Sequence, residues 1–468
     1  MAKHGTRFRD EREDATRVIT LNENDAETTE DKDKERNDDR RRDERLKQKN
    51  TKRLEKLMKK QQRREERSDR AALSYEDLPL QEPDRGERPR RVLNRKRVTL
   101  AVIILLVLFA VVFLFANSDR LSIHNISNFV RYGILNRDSD ERFPVTIQDE
   151  NITPGNFLRM GQDLCYASDT RVQVLNNYGK SILNVPHGFT SPYLVTCGQY
   201  SLVYSLGGTG FQIADNEKVL YTGTAEHNIH VADIVDNGSY VLVTQSEGYL
   251  SKLSAYNKEN EMIFAYSFAD YYVTSVTLSS NGRMAVVSGL SALNGDEISS
   301  LYVLDFTKET PVYLQEFENN IIYDIRYLND TYACAIGKTA AYVINTRSGA
   351  IETAGYEGRT LTAYTVNTDT DTFSLSLSRS GDGRNCEILS FNTNGTLSRS
   401  FMTDLRVISL SSYKGRVALL TPDTLCLYNK DGGLVAESDA GFDPHAVVLY
   451  TSADAYVLDT NEILSVSL

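Results

Sequence analysis

The chain has 468 residues with five cysteines, no tryptophan and a formal net charge of −11. Its length exceeds a single ordinary domain, and cysteines that are odd in number and form no CxxC pair exclude a disulfide-stapled or zinc-ribbon framework. The net charge conceals two opposite balances: residues 1–97 hold 30 Lys/Arg against 24 Asp/Glu, whereas the residues after 116 hold 23 against 40.

Up to Asp39 the chain is mixed in charge and poor in apolar residues, so it cannot bury enough surface to offset its ordering entropy and is expected to be disordered. From 40 to 70 (RRRDERLKQKNTKRLEKLMKKQQRREERSDR) helix formers run without Pro or Gly, and a basic helix is expected. Leu46, Leu54, Leu57 and Met58 are too few for a coiled-coil seam, so it reads as a single solvated helix. Its 15 basic and 6 acidic residues suit anionic inner-leaflet lipid. Nucleic acid is not expected, since no aromatic side chain is interleaved to stack on bases. Residues 71–83 (AALSYEDLPLQEP) read as a linker.

Residues 98–116 (VTLAVIILLVLFAVVFLFA) carry no charge. A helix of that length spans roughly 28 Å, close to the hydrocarbon thickness of a bilayer, and is expected to cross it. Arg85, Arg88, Arg90, Arg91, Arg95, Lys96 and Arg97 crowd its N-terminal flank, which places residues 1–97 in the cytoplasm and the C-terminal region outside. A cleaved signal peptide is excluded by the length of the preceding region, so the segment reads as a signal anchor. In residues 117–142, Ile123, Ile126, Val130 and Ile134 recur at helical spacing, an amphipathic stalk, with His124 on its polar side. A polar linker follows.

From 143 to 468 the period changes to two. Short runs rich in Val, Ile, Tyr and Thr alternate with Asn/Asp/Gly turns, the pattern of strands and tight hairpins. One kind of turn recurs at 176–179, 215–218, 257–260, 307–310, 346–349, 392–395, 429–432 and 459–462. A second kind links an inner strand pair at DNGSYVLV, SNGRMAVV, LNDTYACA and YKGRVALL. There Asn-Gly and Lys-Gly supply the positive φ of a tight hairpin. Self-similarity supports the period, since VALLTPDTLCLY (417–428) aligns with VVLYTSADAYVL (447–458), and AAYVINT (340–346) with DAYVLDT (454–460). Four strands in about 40 residues make a β-propeller blade. The fold is therefore expected to be all-β, a propeller of eight, alternatively seven, four-stranded blades. The last unit is expected to hold strands B, C and D without room for A between Gly441 and Ala446. FPVTI (143–147) is the spare strand that closes the ring.

At 185–213 (VPHGFTSPYLVTCGQYSLVYSLGGTGFQI), 244–257 (TQSEGYLSKLSAYN) and 287–306 (VSGLSALNGDEISSLYVLDF) the chain resembles a family of uncharacterised membrane-anchored propeller proteins of Gram-positive bacteria, a domain of unknown function. The resemblance covers residues 95–468 and implies the topology, with no catalytic residues. NTRSGAIETAG (345–355) is more loosely similar to quinoprotein-like and WD-repeat propellers. The absence of Trp removes the docking residues of the former and argues against a quinone cofactor; none is expected.

No hydrolase, zincin, P-loop or dinucleotide motif is present. Asn367, Asp369 and Asp371 match the start of a calcium loop but lack its Gly and terminal Glu, and fit a hairpin turn. The five cysteines sit in apolar runs and read as small buried hydrophobes. His187, His227, His230 and His445 fall in expected D-to-A connections, which emerge on one face of a propeller. They read as ordinary loop residues of a ligand or partner face and not as a metal set. Asp233, Tyr271, Tyr272, Asn319, Asn320, Arg359 and Asp404 share that face. The sequence thus points to a non-catalytic binding or assembly module at the cell envelope, with a protein or glycan partner. The rivals are an envelope enzyme acting on glycans or peptides at the channel, and a transmembrane signal coupler.

Overall fold

The computed structural model describes residues 142–147, 150–293 and 295–468, together with the isolated positions 58 and 105. The charged tail with its helix at 40–70, the segment 98–116 and the stalk at 117–141 lie outside the described residues. Within them no helix is long and apolar enough to cross a membrane.

Thirty-two strands form eight antiparallel four-stranded sheets, the blades of a closed propeller. Blades 1 to 7 span 152–186, 192–224, 229–268, 272–318, 322–355, 360–403 and 409–439, each running in order from an inner strand A to an outer strand D. Blade 8 takes strands A (Pro444–Leu449), B (Asp454–Asp459) and C (Glu462–Ser467) from the C-terminus. Its strand D, Val145–Thr146, comes from the other end of the described chain and pairs Val145 with Ile463 and Thr146 with Glu462. Eight blades and the joining of the two ends match the sequence expectation, but the strand assignment in the last blade needs correcting. The N-terminal strand is the outermost, and strand A is present at 444–449. Accordingly the hairpin at 459–462 joins B to C, whereas the other seven turns of its kind join C to D. Both hairpin types begin at a buried strand and close through a short polar turn, so the turn alone does not distinguish them. Only the ring's closure fixes the phase.

No single core fills the domain. Eight apolar clusters occupy the eight seams between neighbouring blades, from Phe157, Tyr166 and Tyr456 at the 8–1 seam to Cys386, Leu410 and Leu419 at the 6–7 seam. Strands B and C supply most of the buried residues. Blade 5 illustrates the pattern, with strand B (Tyr332–Gly337) and strand C (Ala340–Asn345) almost wholly buried and strand D (Ile351–Gly355) largely exposed. Each fully buried aliphatic side chain contributes roughly 1.5–3 kcal/mol, so stability is distributed around the ring. The five cysteines are free thiols, four of them buried and Cys197 half-buried.

Candidate functional site

Strand A of each blade lines the central channel, and its period of two sends alternate side chains inward. In blade 5, strand A (Ile322–Tyr327, IYDIRY) buries Ile325 in the 4–5 seam, while its alternate members Asp324 and Arg326 line channel cavities. Arg326 reaches across the channel. Its Nη1 lies 3.6 Å from Asp233 of blade 3, and its Nε lies 3.3 Å from Asp324. The Tyr364 hydroxyl of blade 6 donates to Asp324 at 3.3 Å, and the Leu278 amide of blade 4 donates to Asp233 at 2.8 Å. A second link joins blades three apart in the ring, where Arg159 of blade 1 pairs with Asp369 of blade 6. The Arg159 guanidinium also lies 4.9 Å above the Tyr413 ring of blade 7, a cation–π contact.

The two ion-paired arginines sit where two cavities meet. One, of about 500 Å³, opens among the A–B turns and is lined by Gly198, Asp233, Ser280, Asp330 and Asp371. The other, of about 440 Å³, reaches Tyr193, Asp324, Tyr364 and His445. Arg159, Thr196, Arg326 and Thr368 line both. Burial pushes the Asp233 carboxyl above the usual carboxylate range, against the pull of Arg326. The neighbouring carboxylates, Asp324 foremost, hold Arg326 firmly charged. Burial also raises the Tyr193 and Tyr364 phenols, so both remain protonated donors.

Apart from His187, His227 and His230, the residues singled out from sequence fall into three groups that overlap at His445. Asp233 and His445 line the channel cavities. Tyr271, Asn320 and Arg359 are spent on the fold. The Tyr271 hydroxyl donates to Glu316 and its ring meets Tyr302 edge-on, Asn320 donates to the Tyr342 hydroxyl at 2.9 Å, and Arg359 pairs with Glu387. Tyr272, Asn319, Asp404 and His445 are exposed at the D-to-A end of the ring, the end reached by these connections.

The histidines need a correction. His187 and His227 lie in D-to-A connections, but His230 and His445 lie within strands A of blades 3 and 8, each at a β-bulge that re-aims the side chain. The sequence offers no signal for a bulge in an alternating run. His187 is clipped in place, its Nδ1 accepting from the Phe189 amide at 2.9 Å and its Nε2 meeting the Ser168 carbonyl at 3.0 Å. His445 Nε2 is 2.9 Å from the Thr460 hydroxyl. Among the described residues no three His, Cys, Asp or Glu side chains are grouped as metal ligands would be.

Sequence reasoning missed the channel pairs themselves. The available signal was the placing of Asp324, Arg326 and Arg159 at alternate positions of innermost strands, where two opposite charges two residues apart must face one channel.

The chain matches the model of a family described as a family of unknown function, DUF5711, over residues 141–468. No curated protein matches it. Among solved structures it is similar to a eukaryotic initiation factor, with 10% identity over 71% of this chain and 89% of that one and a TM-score of 0.47. It is also similar to BamB from Moraxella catarrhalis, with 12% identity, 69% and 98% coverage and a TM-score of 0.43. For apo AztD from Citrobacter koseri the values are 12%, 63% and 88%, and 0.45.

Proposed function

The chain belongs to the DUF5711 family of unknown function, and from that premise we propose that it is a membrane-anchored binding or assembly module at the cell envelope. In this reading residues 98–116 span the membrane once, the basic flank from Arg85 to Arg97 sits on anionic lipid of the inner leaflet, and the propeller lies outside the cell. It acts without catalysis, holding a protein or glycan partner at the D-to-A end of the ring.

The observation that carries the reading is the pairing across the channel. Arg326 links blades 3 and 5, and Arg159 links blades 1 and 6. These contacts join blades that are not neighbours in the ring, so they add rigidity that the seams do not supply. The ionisable groups at the waist are engaged with one another, while Tyr272, Asp404 and His445 are exposed on a stiff platform. A rigid scaffold carrying variable loops is the arrangement from which recognition surfaces are built. The acidic exterior favours neutral or cationic partners.

The test is crosslinking in intact cells, followed by recovery of the full-length chain and of a variant carrying Tyr272→Ala, Asp404→Ala and His445→Ala. The expected result is one envelope partner crosslinked to the parent chain and lost from the variant, with both chains reaching the membrane equally. Hydrolytic activity of the purified chain on envelope glycans or peptides, with no partner recovered, would overturn the proposal.

A further inference from the structure

Blade 8 is an incomplete sheet. In the other seven blades strand D is five to seven residues long and pairs with five or six positions of strand C. In blade 8 strand D is Val145–Thr146, and it pairs only with Ile463 and Glu462. Among the described residues no strand lies outside Leu464–Ser467.

The hydrogen-bond pattern identifies which groups face outward. Asn461 accepts from the Ile147 amide on the outer side, and Leu468 donates to the Ala453 carbonyl on the inner side. Groups alternate along an antiparallel strand, so Ser465 and Ser467 direct both N–H and C=O away from strand B. Exposure agrees with this. Leu464, Ser465 and Val466 are half-buried and Ser467 is exposed, whereas strand C of blade 5 is buried along all but its last residue.

The chain does not itself continue along this edge at the point where it could. Continuing the ladder would require the backbone of Phe143 to lie opposite Ser465. The backbone of Arg142 and Phe143 instead crosses the C–D turn of blade 1. Gly179 there has φ +85°, and a Cβ on it would lie 2.6 Å from the Phe143 nitrogen. Phe143 turns its ring onto Tyr456, 5.4 Å away.

We propose that the open edge of Leu464–Ser467 is a docking site for an extended strand of a partner protein, which adds antiparallel to strand C and completes blade 8. Main-chain hydrogen bonds to Ser465 and Ser467 supply the affinity, as in other strand-addition complexes. The incoming segment has the character of this protein's own D strands, about five residues alternating apolar and polar. This site lies on the rim of the ring, so it holds or fails independently of the D-to-A surface.

The test follows exchange of the Ser465 and Ser467 amides in the full-length chain with and without a synthetic peptide of the sequence LVAESD, the outer strand of blade 7 (Leu434–Asp439). Both amides are expected to exchange freely in the chain alone and to slow about tenfold when the peptide saturates the edge. Ser465→Pro is expected to abolish peptide binding, because it removes an amide that is not part of the ladder to strand B, and to lower the melting temperature no more than Ser465→Ala, which loses the same hydroxyl contact with Tyr450. Ser467→Pro serves the same purpose should the first variant misfold. Amides already protected at every chain concentration would mean that upstream residues of the same chain cover the edge. Protection that grows with chain concentration would mean a second copy does. Either result, or no effect of the peptide, overturns the proposal.

Discussion

At Cys165, burial removes the thiol from water and also raises its pKa to about 12, so the nucleophilic thiolate is scarce at neutral pH. Cys197 and Cys426 are pushed up to about 11 by the same cause, and Cys334 and Cys386 are wholly buried. At pH 8 the native chain is therefore expected to show no rapid reaction with a thiol-selective disulfide reagent, and five equivalents once unfolded. One fast native equivalent would contradict this. The apolar setting of each cysteine was readable from the apolar run in which it lies. His187 was readable only as a loop residue. Its Nδ1 accepts the Phe189 amide, which requires the neutral ring, and burial lowers its pKa below the usual histidine value. A base with a depressed folded pKa costs nothing above the unfolded pKa of about 6.5 and destabilises increasingly as pH falls from there to its folded value, below which the cost is constant. Lowering the pH from 7.5 to 5.5 is thus expected to reduce the protection factor of the Phe189 amide, the intrinsic exchange rate at the same pH divided by the observed rate, an effect that His187→Gln abolishes.

At the level of single elements, the inner strands carry two messages, and the sequence spelled only one of them. Turn chemistry was explicit: Gly238 and Gly282 follow Asn in two A–B hairpins and have φ of +81° and +68°, values that Asn-Gly turns announce. The inward charges of strand A in blade 5 resemble the polar face of any half-exposed strand until the ring is closed around them. Their effect can be measured. Arg326→Met leaves the Asp233 carboxylate buried and without its cation, a situation that costs several kcal/mol in a fully buried pair. Arg326 is about one-third exposed, and solvent screening reduces the expected loss to about 1–3 kcal/mol. Asp233 already has a raised pKa, so the deficit should be greatest at neutral pH and shrink as acid protonates it. Chemical denaturation at pH 7 and pH 5 would detect this. A deficit equal at both would show that packing, not charge, is lost. Adding Asp233→Asn to Arg326→Met should recover part of the stability, because it removes the stranded charge.

Over the whole molecule, the feature that sequence could not phase, the closure of blade 8, also sets how the ring fails. Each seam between blades 1 and 8 in order is formed by neighbours in the chain, whereas the 8–1 seam joins its two ends. That seam is built from Ile147, Ile152, Phe157, Tyr166, Tyr450 and Tyr456, with Phe143 and Val145 packed against it. Blade count and ring closure were legible because repeats of about 40 residues and a spare strand at 143–147 demanded them. Which place in blade 8 the spare strand takes was not legible, since a turn of the same kind closes either hairpin. Strand D of blade 8 holds by two residue pairs, and most of its contribution comes from burying Ile147, with smaller shares from Phe143 and Val145. Deleting residues 143–147 should accordingly cost about 3–5 kcal/mol from lost apolar burial. The loss should be local before it is global: amide exchange should accelerate first in strands B and C of blade 8 and strand A of blade 1, while blades 3 to 6 keep their protection. A uniform loss around the ring would instead mean that the eight seams unfold as one unit and that closure governs the stability of every blade. Gly179→Ala provides a milder version of the same perturbation, because a Cβ there displaces Phe143 without deleting the strand. It should open the same blades in the same order, at a smaller cost than the deletion.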